Sequence, residues 1–263
     1  MTQKNLHTDI ITALKQANSD NTTSIYVPSQ DKHIDFYPIT VRDQKKIVTT
    51  SLESSVNTSA FHVTTNRMIE NCCSDKQMEF SVIDRAAILI SLRVNMLGST
   101  VVVVDSKGKE HDLDISQHVQ SFGTHKLPEK HLESKKLTVG DIDVMFEPAP
   151  LKNDTIVSRV SQSILDNLLQ KSSISDSIRE AIVYEFVKFI QYIEISGKRV
   201  DFEPKNAEQL VKIVEALPMS MSQLLFKEID RVKKPESRYT SVDTEEFGKC
   251  DILVNPGLFN TTT

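Results

Sequence analysis

The run from Phe80 to Gly98 constrains this chain more than any other segment. Ser81 is followed three positions later by Asp84, a variant of the capping box, and Gly98 stands where a helix end calls for a left-handed residue. Between them Val82, Ile83, Ala86, Ala87, Ile90, Val94 and Leu97 fall on one broad helical face. Ile88, Leu89 and Leu92 widen that face until little of the circumference is polar. The rest of the fold has to surround a helix of this kind. Yet it carries Asp84, Arg85 and Arg93, and charges taken out of water need partners. The expectation is a central buried helix with a structural polar network on Asp84, Arg85 and Arg93.

The flanking segments supply candidates for what surrounds it. Leu6, Ile10, Ile11 and Leu14 mark a short amphipathic helix. Ile25–Pro28 and His33–Pro38 alternate apolar and polar residues and read as a hairpin around Gln30 and Asp31. Thr40 and Asp43 form a capping box that opens a helix to about Leu52. Thr58–Cys73 reads as a second helix with Phe61, Met68, Ile69 and Cys72 on its inner side. After the central helix, Val101–Ile115 reads as a hairpin turning at Ser106-Lys-Gly-Lys109, and His118–Lys136 as irregular polar chain. Leu137–Phe146 has strand character, ended by Pro148-Ala-Pro150, since proline gives a sheet no donor.

Past Pro148–Asp154 the pattern turns helical. Ile156, Val160, Ile164, Leu165, Leu168 and Leu169 keep helical spacing, as do Ile178, Ile182, Tyr184, Val187, Phe189, Ile190 and Ile193. Ile195–Phe202 reads as a short hairpin, and Asn206–Leu217 and Ser220–Lys233 as two more helices. From Pro235 onward no core-forming period is present. The fold class expected is therefore α+β. A mixed domain over residues 1–150 holds the central helix and hairpins, a helical bundle follows over 151–234, and an extended arm over 235–263.

Composition narrows the function. A net charge of −5 argues against an electrostatic nucleic-acid binder, which needs a basic excess. No apolar stretch approaches the ~20 residues of a membrane span, and Met1-Thr-Gln-Lys-Asn-Leu-His7 has no apolar core of an export signal. Three cysteines make no disulfide framework, and Cys72 and Cys73, adjacent on a helix, point about 100° apart. Only 7 glycines occur where average usage gives roughly 18, and phosphate loops and nucleophile elbows lean on glycine.

Candidate sites each have a plainer explanation. His111, His118, His125 and His131 crowd together and are the basis of one alternative, a metal-dependent hydrolase, but their spacing matches no compact metal motif. Cys72, Cys73 and Cys250 have no histidine in a partner pattern, and Ser91 and Ser161 lie mid-helix without an elbow. Arg42 with Asp43, and Asp84 with Arg85, read as ion-pairing residues that fix packing. Arg231, Lys233 and Lys234 suit the C-terminal end of a helix. No catalytic residue, metal ligand or cofactor is assigned. The arm is the candidate partner-binding element through Phe247, Ile252, Val254, Leu258 and Phe259, which either dock on another protein or fold back on their own chain.

Several pieces, in order, carry a resemblance: Tyr26-Val-Pro-Ser29, Asp35-Phe-Tyr37, Ile39-Thr-Val-Arg-Asp-Gln44, Met68-Ile-Glu-Asn-Cys-Cys73, and Asp84-Arg85 with Leu92-Arg93 and Gly98. Together they resemble the baseplate protein family of T-even-type contractile-tail bacteriophages, which includes a small baseplate hub subunit and a hub-assembly chaperone. The likeness covers Tyr26 to about His118, roughly a third of the chain. Family members often carry a Cys-x-x-Cys pair after the long helix; Val101–Ile115 has no cysteine, so no zinc site is inherited. The resemblance implies a structural subunit of the central hub, working by protein–protein binding rather than chemistry. Its implied partners are other baseplate hub and tail proteins, in multiple copies in a symmetric assembly, without nucleic acid or membrane. It implies residence in the virion tail baseplate, reached from the host cytoplasm during assembly. The alternative within the family is a non-virion chaperone of hub assembly.

Overall fold

The computed structural model describes residues 13, 21–53, 58–124, 126–169 and 183–259, with backbone only for 51–53, 58 and 164–169. The expected first helix, His125, and Ile178 and Ile182 lie outside the described residues. The chain is α+β, and among the described residues all strand pairs are antiparallel.

Strands β1 (Thr23–Val27) and β2 (Lys32–Phe36) form the first hairpin. A single 3-10 turn, Pro28–Gln30, joins them, and Asp31 closes it at φ 46. Helix α1 (Val41–Glu53) opens with the reciprocal Thr40–Asp43 cap: Asp43 donates its N–H to Thr40 Oγ1, and Thr40 N–H donates to Asp43 Oδ2, both at 3.2 Å. Helix α2 (Thr58–Cys72) buries Phe61, Met68, Ile69 and Cys72 as its spacing requires.

Helix α3 (Val82–Leu97) is the central element. Every residue from Ile83 to Arg93 is buried, Ser81 caps the start, and Gly98 at φ 93 ends it. It spans two apolar cores. Ala87 to Leu92 pack with β1, β2, α2 and the chain's C-terminal segment, Ile83 belongs to the core built on the second half, and Val82 packs against both.

Two four-stranded sheets flank it. The first has the order β4–β3–β10–β9, from β3 (Thr100–Asp105), β4 (Glu110–Asp114), β9 (Ser241–Thr244) and β10 (Gly248–Ile252). The second runs β5–β6–β7–β8, from β5 (Lys135–Val139), β6 (Ile142–Phe146), β7 (Ile190–Ile195) and β8 (Lys198–Asp201). Helices α4 (Leu151–Leu169), α5 (Ala207–Glu215) and α6 (Met219–Lys233) follow, with short helical turns at Ser116–Gln120 and Ser237–Thr240, and α4 packs along α2.

Three expectations are corrected. The run through Tyr184 to Ile193 is not one helix. Residues 183–187 are helical, but Ile190–Ile195 forms β7, which buries Ile190 and Ile193 and pairs with β6 and β8. Val187, Phe189, Ile190 and Ile193 suit either period over so short a run, and the open edge of β6 decides for strand. The second half is accordingly no pure helical bundle, and β6–β7 pairing runs across the boundary expected at Pro148–Asp154. The third correction concerns the arm expected over 235–263, of which residues 235–259 are described. This segment is no free arm: β10 is an interior strand between β3 and β9, and Tyr239, Cys250, Ile252, Leu258 and Phe259 are all buried in the core around α3. β10 pairs with β3 far back in the sequence, Cys250 opposite Asp105, and β9 pairs with β10, so no helical period marks the segment.

Candidate functional site

The three charges of α3 were expected to share one network. They occupy three separate places along the helix, each tied to a different part of the chain.

At the N-terminus, the Asp84 carboxylate accepts from Ser81 N–H at 2.8 Å, which completes the capping box, and from Ser29 N–H and Ser29 Oγ, both at 2.7 Å. The 3-10 turn at Pro28–Gln30 aims Ser29 at it. Asp84 is fully buried, and burial raises its pKa to about 6 against the pull of the Ser29 and Ser81 donors.

One position on, Arg85 is turned about 100° around the helix and reaches a different part of the chain. Its Nη2 meets Asp154 Oδ2 at 2.5 Å, and Lys188 Nζ meets Asp154 Oδ1 at 2.9 Å. Asn66 Nδ2 donates to the same carboxylate at 2.8 Å and to Thr155 Oγ1 at 3.1 Å. The chain of charge continues outward through Glu185, 2.8 Å from Lys188 and 2.8 Å from Lys233. Burial alone would raise the Asp154 carboxyl, but Arg85 and Lys188 override it and hold it well below the carboxylate range. Lys188 and Lys233 similarly overcome burial at Glu185 and lower it to about 2. His62 lines the same cleft of about 170 Å³, where burial and the Arg85 charge lower it to about 3, so the imidazole is neutral at pH 7. Sequence reasoning missed Asp154, because a carboxylate just past Pro150 looks like a helix-start residue.

At the C-terminal end, Arg93 has no carboxylate. Its guanidinium donates to three carbonyls: Leu258 O at 2.7 Å, Gly98 O at 2.5 Å and Thr100 O at 3.1 Å. It thus closes the end of α3, where a cation is favoured, and holds the start of β3 and the C-terminal 3-10 turn to it.

The three described histidines of the sequence cluster, His111, His118 and His131, are each tied to a different partner. His111 Nε2 lies 3.1 Å from Asp105 Oδ2 with its ring stacked on Phe247 at 3.9 Å. His118 Nε2 bonds Tyr239 O at 3.0 Å, and His131 Nδ1 bonds Arg231 O at 2.5 Å. Among the described residues no three His, Cys, Asp or Glu side chains stand as a metal cluster. Cys72, Cys73 and Cys250 are buried free thiols, and burial pushes Cys72 up to about 12 and raises Cys73, which disfavours the thiolate a nucleophile needs. Ser91 and Ser161 are buried.

The five expected partner-binding residues all pack within the chain. Phe247 stacks on His111, Val254 is half-buried, and Ile252, Leu258 and Phe259 are buried, with Gln44 Nε2 donating to Phe259 O at 3.0 Å. The large apolar side chains that do face solvent are elsewhere: Val41 on α1, Val102 on β3, Leu253 after β10, Ile195 on β7, and Met219 and Phe226 on α6. None stands out in the sequence, where an apolar residue on a short strand or at a helix start reads as core.

Asp84, Arg85 and Arg93 thus each tie the central helix to a different segment of the chain. No helix among the described residues is long and apolar enough to cross a membrane. Neither a curated protein nor a solved structure matches the chain. The T4 bacteriophage base plate protein family does match, over residues 20–245, a span that takes in β1 through β9 and all of α1 to α6, and the chain belongs to that family.

Proposed function

We propose that this protein works at the central hub of the contractile tail baseplate, by protein–protein binding during assembly, in multiple copies. A structural role in the phage tail baseplate follows from the family. The hub assignment goes further. It is supported by the residues that carry the hub resemblance: Ser29 of Tyr26-Val-Pro-Ser29 makes two hydrogen bonds to Asp84 of the Asp84-Arg85 helix, across 55 positions of sequence. Two separate pieces of the motif meet in one partly buried contact, which supports reading them as parts of one unit. Partners are other hub and tail proteins, bound through surface apolar residues ringed by charge.

Mass spectrometry of intact, purified virions, together with density for the assembled baseplate, tests this. The expected result is the protein present at the hub in a fixed number of copies per tail. Its absence from mature particles, with presence in assembly intermediates, would overturn the subunit reading and make it the hub-assembly chaperone.

A further inference from the structure

The outward face of the β4–β3–β10–β9 sheet combines charge and apolar surface in an unusual way. Thr100 pairs with Asp114, Val102 with Asp112 and Val104 with Glu110; Asp251 pairs with Val104, and Lys249 with Asp243. Directly opposed residues share a face of a sheet. The register therefore gathers five carboxylates, Glu110, Asp112, Asp114, Asp243 and Asp251, against one cation, Lys249. Among the described residues none of the five is in an ion pair. Between the two carboxylate rows lie Val102, 38 % exposed, and Leu253, 44 % exposed. They line a groove of about 280 Å³ together with Thr100, Glu110, Asn255 and the buried Arg93, whose guanidinium is already held by three carbonyls.

The same chain carries the complement. On α1, Val41 is 69 % exposed, and Arg42, Lys45 and Lys46 beside it are exposed and line an open groove with Thr64 of α2. No described residue pairs with these three cations. Spacing agrees as well as sign. Arg42 and Lys46 are separated by about 6 Å of helix rise, and alternate carboxylates of β4 by about 7 Å of strand.

We propose that α1 of a second copy of this chain docks on the outward sheet face. Val41 enters the groove against Val102 and Leu253, and Arg42, Lys45 and Lys46 meet the carboxylates of β4. The two patches differ, so the contact is heterologous: copies add head to tail and close into a ring where the rotation allows. It rests on the multi-copy reading above and names the contact that such an assembly uses. Exposed pairs around a small apolar centre make it weak and salt-sensitive in isolation, and co-localisation in a baseplate strengthens it by effective concentration.

Sedimentation velocity of the purified full chain at low and high salt, with two charge-reversed variants, tests it. One variant carries Glu110→Lys with Asp112→Lys, the other Lys45→Glu with Lys46→Glu. The parent is expected to self-associate at low salt and dissociate at high salt. Each variant alone should associate roughly tenfold more weakly or not at all, and their equimolar mixture should regain association, because each supplies the patch the other lacks. All four positions are exposed, so melting curves should match the parent. A parent that stays monomeric at low salt, or variants that associate like the parent, would overturn the contact. A mixture that fails to recover would overturn the pairing of these two patches. A monomeric protein still found at the hub of virions sinks this contact alone; a self-associating one absent from virions sinks the hub reading alone.

Discussion

Removing residues 235–263 should unfold this protein. The segment contributes β9 and β10 to the first sheet, with β10 as an interior strand, so truncation after Lys234 exposes the β3 edge as well. It also removes Ile252, Leu258 and Phe259 from the core around α3, each no more than 6 % exposed. At about 1.5–3 kcal/mol for each buried side chain, these three alone contribute about 5–9 kcal/mol. Arg93 loses its bond to Leu258 O and Gln44 its bond to Phe259 O. Typical domains have only about 5–15 kcal/mol in total. The truncated protein is expected to aggregate, or to remain helical by far-ultraviolet circular dichroism without a cooperative melt and with strong binding of a hydrophobic dye. The graded version is Phe259→Ala, which should cost about 3–5 kcal/mol and lower Tm by on the order of 10 °C in a chain of this size. A truncated protein that is soluble and melts cooperatively at the parent temperature would refute the reasoning, and would return the segment to the status of a detachable arm.

Three further outcomes follow from the charges. Asp154→Asn leaves Arg85 and Lys188 buried without their carboxylate and should cost about 3–5 kcal/mol by chemical denaturation, whereas Glu203→Gln, which breaks the exposed Lys205 pair, should change little. Arg93→Lys should recover only part of the loss seen in Arg93→Ala, since one ammonium cannot serve three carbonyls in the guanidinium plane; equal stability of Arg93→Lys and the parent would show that charge alone matters there. Denaturation midpoints against pH should show two limbs. Asp154 and Glu185 are held below their ordinary values of 3.8 and 4.5, so their contribution is present above those values and is lost as pH falls through the folded pKa values. Asp84, raised to about 6, acts with the opposite sign and withdraws stability as pH rises from 3.8 to about 6. The acid limb should shrink in Asp154→Asn; an unchanged limb would mean that other groups cause it, among them His62, whose lowered pKa also withdraws stability as pH falls below 6.5.

What could be read from sequence is what neighbours along the chain decide. The Ser81–Asp84 box, the Gly98 stop, the Thr40–Asp43 cap and the hairpin at Asp31 all rest on interactions within a few residues, and each stands in the structure. The burial of α3 was equally legible, because a helix apolar around most of its circumference has no other stable place. What the sequence could not decide is which distant segments meet. Arg85 finds Asp154 across 69 positions, and Arg93 finds Leu258 across 165. The strand at Ile190–Ile195 and the interior place of β10 depend on open edges that β6 and β3 present, so local pattern left the first as helix and the second as arm. The docking face is of the same kind. Glu110, Asp112 and Asp114 alternate visibly along β4, but only the pairing of β10 and β9 sets Asp251 and Asp243 on the same side, with Val102 and Leu253 between them. Propensity and capping act over single turns of chain; the position of a charge relative to its partner is set by tertiary packing, because solvation and Coulomb energy depend on distance in space.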